Sequence, residues 1–246
     1  PVTLTDGLYE AGPLTVQYLD GAELETDLDG DGVADAVVFL LERGGGTANI
    51  LYLAAQLNQG GQPVDAGAVS LDEVQVKSAA VADGQIQLDL ITAGPGDGDC
   101  CPSYKATKAF AFEDGQLVEV PGDGQELVPV SEDDLNGASW TLVEINYDTP
   151  ALPDAEITMS FADGKISGFG GCNDFHSRFI LGEDNPLVMT TSPVIATRRA
   201  CPEPALDQET AFFTALDGVA QWGYEFGQLA LYYPDAESGA YGRLLF

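Results

Sequence analysis

Asp27, Asp29, Asp31 and Asp35 fall within one short stretch, residues 27–35, reading Asp-Leu-Asp-Gly-Asp-Gly-Val-Ala-Asp. Carboxylates alternating along a curled loop can point inward together. A hard divalent cation such as calcium takes about six to eight oxygens at flexible geometry. Gly32 permits the sharp turn at the sixth position, Val33 offers its main-chain carbonyl at the seventh, and Asp35 closes the shell at the ninth. A helix-flanked EF-hand would want Glu at the twelfth position, where Val38 stands, and a helix after it. Here an apolar, strand-like run, 36–41, follows instead. The stretch predicts an EF-like calcium loop on a β scaffold, with Asp27, Asp29, Asp31, Val33 and Asp35 as ligands and a structural role. The bland reading is an ordinary Asp/Gly-rich turn.

The four cysteines, Cys100, Cys101, Cys172 and Cys201, lack the spacing of a zinc site. A disulfide is expected between Cys172 and Cys201, stapling the glycine-rich stretch 166–173 to 197–202. Two buried thiols and pairings across the halves are the alternatives. Cys100 and Cys101 can form a vicinal disulfide; redox catalysis usually uses Cys-x-x-Cys. His176 is the single histidine, and no nucleophile elbow or other catalytic motif accompanies it. No catalytic residue is assigned. Arg198 and Arg199 are expected to pair with local carboxylates. Asp133-Asp134 and Glu183-Asp184 are expected in solvated loops.

The charge balance narrows the partners. The chain of 246 residues carries 40 acids against 9 bases, a net −31. Such a field repels phosphate backbones and anionic membranes, and favours divalent cations and basic partners. No apolar run is long enough to span a bilayer. Acidity, few lysines and an even cysteine count fit an exported, oxidising setting. A removed leader or lipid anchor is compatible with the abrupt start at Pro1.

Most of the chain alternates apolar and polar residues with turns between. Strands are expected over 14–19, 36–41, 49–57, 74–81, 85–91, 104–112 and 116–120, then 140–145, 157–161, 165–169, 172–180, 187–190, 221–226, 229–233 and 243–246. Asp-Gly at 83–84, 114–115 and 163–164 signals hairpins, because both turn positions tolerate positive φ. Residues 203–220 carry a helical apolar stripe, with Pro204 in the first turn and Gly218 near the end. The fold class expected is β-rich α+β. A calcium-loop β domain (1–125), a linker (126–134) and a second domain (135–246) follow.

The second half resembles the META domain, a family that includes HslJ-type envelope proteins. The resemblance rests on Leu135-Asn136-Gly137 with Trp140, on Phe169-Gly-Gly-Cys-Asn173, on Thr197-Arg198 with Ala200-Cys201-Pro202, and on Glu209, Phe212 and Leu216. Arg199 stands where the family usually has methionine. The resemblance implies a small curved, barrel-like sheet with one helix, an envelope or secreted location, and no established enzymatic activity. Residues 27–35 resemble the calcium loops of FG-GAP repeats. Together these readings predict a monomeric, non-catalytic binding or structural protein outside the cytoplasm, with an unidentified protein or envelope partner. The rival expectations are a hydrolase with a site between the domains and a salt-adapted surface protein.

Overall fold

A computed structural model describes residues 2–44, 49–98, 101–122, 126–235 and 240–246. The chain divides into two compact units, Pro1–Pro129 and Val130–Phe246. Antiparallel sheets dominate, none of them closed, with one α-helix among the described residues.

The first unit holds two sheets. One runs Leu8–Ala11, Leu14–Tyr18, Asp35–Arg43, Asn49–Gln59, Gln62–Asp72, and Leu24–Thr26 also pairs with Asp35–Arg43. The other runs Gln116–Val120, Tyr104–Glu113, Gln85–Thr92, Gln75–Ala82, and Val128–Pro129 joins Tyr104–Glu113. The Asp-Gly turns form as their chemistry dictates. Asp83 and Gly84 have φ of 54° and 75°, and Asp114 and Gly115 have 51° and 81°. Consecutive positive φ values match the twist of the flanking strands. Val37, Phe39, Leu53, Leu88, Leu90 and Phe110 are buried and form the core of this unit.

Residues 126–134, expected as a linker, hold the short strand Val128–Pro129 and a 3-10 turn, Glu132–Asp134. The turn belongs to the second unit. There Glu132 accepts the Gly164 amide at 2.6 Å, and Asp134 accepts that of Ser131 at 3.0 Å.

The second unit also has two sheets. The first runs Ser139–Thr141, Ile157–Ala162, Lys165–Gly170, Asp174–Leu181, Met189–Thr191, with Ile195–Ala196 also on Asp174–Leu181. The second runs Thr149–Pro150, Glu144–Ile145, Tyr241–Leu245, Gln228–Pro234, Gln221–Glu225. The single strand expected over 140–145 is in fact two, one in each sheet. The chain changes sheet at Leu142 and Val143, whose amides donate to Ile157 and Leu245 respectively.

The helix Glu203–Asp217 packs against strands of both sheets. Its buried residues are Glu209, Phe212, Ala215 and Leu216. Phe175 meets Phe212 edge-on at 5.4 Å between ring centroids, and Phe212 meets Phe246 at 6.3 Å. Gly218 stops the helix, its amide reaching back to the carbonyls of Ala215 and Leu216.

The glycines of 166–173 have distinct reasons to be glycine. A Cβ on Gly168 would lie 1.9 Å from the Thr158 carbonyl oxygen, and one on Gly170 would lie 2.7 Å from Glu209 Oε2. Gly168→Ala is therefore expected to destabilise the protein by roughly 1–3 kcal/mol. The exposed neighbour change Ser167→Ala should stay within about 0.5 kcal/mol. Urea denaturation of the two variants beside the parent checks this, and equal midpoints would contradict it.

Candidate functional site

The acidic loop sits between the strands Leu24–Thr26 and Asp35–Arg43. Gly30 and Gly32 take positive φ, 80° and 86°, and curl it. Each aspartate is then held by backbone amides. Asp27 accepts the Gly30 amide on Oδ1 at 2.8 Å and the Gly32 amide on Oδ2 at 2.9 Å. Asp29 Oδ1 accepts from Asp31, and Asp31 Oδ1 accepts from Val33. Asp35 is buried and opens its strand. It accepts the Leu28 amide on Oδ2 and the Asn58 amide on Oδ1, both at 2.8 Å. Asn58 lies on the neighbouring strand Asn49–Gln59, so Asp35 ties the loop to the sheet.

Asp27, Asp29 and Asp35 each bring a carboxylate oxygen into a group whose members all lie within 4.8 Å of one another. Asp31 stands outside this trio. Val33 is seen through its amide, which donates to Asp31, while its side chain is exposed. The trio is the one cluster of three or more His, Cys, Asp or Glu among the described residues that is positioned to hold an ion. Two like charges at such spacing repel by about 1 kcal/mol even at the dielectric of water. A divalent cation would turn that repulsion into attraction, and three fixed oxygens are a partial shell for calcium.

The cysteine stretch is structural. Cys172 and Cys201 form a disulfide across a sequence separation of 29. A loop of that length contributes about 3–4 kcal/mol in the chain-entropy account. Beside it, Asn173 and Glu209 are both buried. The backbone amide and the Nδ2 of Asn173 donate to Glu209 Oε2 and Oε1, each at 2.7 Å. Asn173 Oδ1 accepts from Thr197 Oγ1 at 2.9 Å and from the Arg199 amide at 2.7 Å. Two residues named only as family markers thus join helix, sheet and the second cysteine segment. Their separation of 36 in sequence left no local signal of the contact.

Cys101 is disulfide-bonded, while Cys100 lies outside the described residues. Asp97 organises the turn before Cys101, accepting from the Gly94 amide and from the amide and hydroxyl of Ser103. Burial opposes its charge, but these donors outweigh burial and hold its carboxyl below the usual range.

His176 lies on an exposed strand face, with Ser167 as its cross-strand partner. No hydrogen bond joins them among the described residues. Arg199 pairs with Asp174, whereas Arg198 is exposed and makes no ion pair among the described residues. Arg243 bridges Glu144 and Glu225 and stacks over Tyr147 at 4.3 Å from the ring centroid. Asp133, Glu183 and Asp184 are exposed, and Asp134 caps its 3-10 turn.

Asp35 and Asp29 should separate scaffold from ion. In EDTA, Asp35→Ala leaves two part-buried amides, those of Leu28 and Asn58, without their acceptor and is expected to cost about 2–3 kcal/mol. Asp29→Ala, at an exposed site, should cost no more than about 0.5 kcal/mol. Chemical denaturation in EDTA measures both; a larger loss for Asp29→Ala would contradict this division of roles.

No helix is long and apolar enough to cross a membrane among the described residues. No curated protein and no solved structure matches the chain. Residues 133–243 match the family model of the META domain. That span takes in the glycine–cysteine stretch, the disulfide, the Asn173–Glu209 contact and the helix, so the match to the META domain lies in the C-terminal half of the chain.

Proposed function

We propose that this protein is a non-catalytic binding protein of an extracytoplasmic compartment, and that its N-terminal unit is fixed by a structural calcium ion. The observation that carries the reading is the trio Asp27, Asp29 and Asp35. Their carboxylates are oriented by backbone amides and drawn within 4.8 Å of each other. Calcium suits all-oxygen ligands and tolerates a shell completed by main-chain carbonyls and water. The role is structural because Asp35 is welded to the sheet through Leu28 and Asn58. The Cys172–Cys201 disulfide is compatible with an oxidising compartment.

The non-catalytic reading is supported by the surroundings of the polar groups. His176 is exposed on a sheet face, and the buried acid Glu209 spends both oxygens on Asn173. A buried acid so engaged is a structural member.

Thermal unfolding in EDTA and in calcium tests the ion. A ligand at 100 times its dissociation constant stabilises the native state by about 2.7 kcal/mol. A clear rise of Tm with calcium is expected, smaller with magnesium and absent in Asp29→Ala. An unchanged Tm across millimolar calcium would contradict the proposal.

A further inference from the structure

One sheet face of the second unit departs from the chemistry of the rest of the chain. On the strands Lys165–Gly170 and Asp174–Leu181, Ile166, Phe175 and Phe179 turn inward and are buried. Lys165, Ser167, Asp174, His176, Arg178 and Ile180 take the alternate, exposed positions, and Asp174 among them is paired with Arg199. Lys165 stands directly opposite Arg178, and His176 lies between Ser167 and Ile195 of the flanking strands.

Like charges directly opposite one another on a sheet face repel. A chain with 40 acids could have placed a carboxylate beside them. Yet neither Lys165 nor Arg178 makes an ion pair among the described residues, whereas Arg199 and Arg243 do. The two most exposed large apolar side chains among the described residues share this face: Ile180, at 74%, is the next outward residue after Arg178, and Ile195, at 60%, stands opposite His176. Unpaired cations interleaved with exposed isoleucines form a surface that lacks its complement.

We propose that this face binds an extended acidic segment of another protein, in which carboxylates alternate with apolar side chains. The carboxylates would meet Lys165 and Arg178, and the apolar groups would cover Ile180 and Ile195. The period of an extended chain matches the alternation of the sheet face. A protein segment fits better than an anionic glycan, because the aromatic ring on this face, Phe169, is partly buried and offers no open stacking platform. The net charge of −31 repels acidic polymers at long range, so recognition rests on short-range contacts here. This inference rests on the binding-protein reading and gives that reading a partner class.

The test uses the full chain and a short fluorescent peptide alternating glutamate and leucine, with a lysine–leucine peptide and heparin as comparisons. The expected result is saturable binding of the acidic peptide. Lys165→Glu with Arg178→Glu should weaken it at least about tenfold, and Ile180→Asp should also weaken it. His176 is the single histidine, so its imidazole proton signals in NMR report on the parent protein without any variant. They are expected to shift as the acidic peptide is added. Absence of acidic-peptide binding, binding indifferent to the charge reversal, or reversal-sensitive binding of heparin alone would overturn the proposal. Cleavage of the bound peptide, seen by mass spectrometry and lost on charge reversal, would support the face while overturning the non-catalytic reading.

Discussion

A carboxylate that leaves water must be met by hydrogen-bond donors, and this chain has too few cations to supply them. Backbone amides take that part in both units. Asp35 gathers two amides and joins loop to sheet. Asp97 gathers donors from Gly94 and Ser103. Glu132 holds the Gly164 turn, Asp217 holds Val194, and Glu209 takes the amide and side chain of Asn173. Hydrogen bonds to a charged group contribute about 1.5–3 kcal/mol each, more than exposed ion pairs. The acids therefore organise turns and junctions as well as keeping the surface soluble.

The Asn173–Glu209 contact shows how such a bond constrains its neighbours. The carboxylate lies so close to Gly170 that a methyl group there would collide with it. Cys172 precedes Asn173, and Cys201 lies two residues beyond Arg199, whose amide Asn173 also accepts. The glycines, the disulfide and the buried acid are one device. It fastens the helix to the strands, and the phenylalanine cluster of Phe175, Phe212 and Phe213 packs around it.

Local chemistry was legible in the sequence, and long-range geometry was not. The Asp-Gly hairpins and the helix could be read because turn residues and a periodic stripe act over a few positions. The strand Gln62–Asp72 escaped notice although Gly60 and Gly61 form the turn before it. Its side chains are mostly exposed, so no apolar alternation marks it. The strands Leu8–Ala11 and Leu24–Thr26 are short and half-exposed, and gave as little signal. The segment 140–145 read as one strand because its composition is continuous across the change of sheet. At the candidate site, the spacing of Asp27, Asp29 and Asp35 could be read directly. The separation of Asp31 from the trio, and the clasp of Asn58 on Asp35, depend on the fold of a strand more than twenty residues away.

Two local exceptions to the amide rule carry the functional reading. On the sheet face of the second unit, Lys165 and Arg178 make no ion pair among the described residues. In the loop of the first unit, three carboxylates are oriented by amides yet remain crowded against each other, which is the condition a divalent cation relieves. A crystal structure grown in calcium tests the latter most directly. An ion is expected within about 2.3–2.6 Å of oxygens from Asp27, Asp29 and Asp35. Well-ordered carboxylates in calcium with water alone between them, or calcium bound elsewhere and not there, would contradict it.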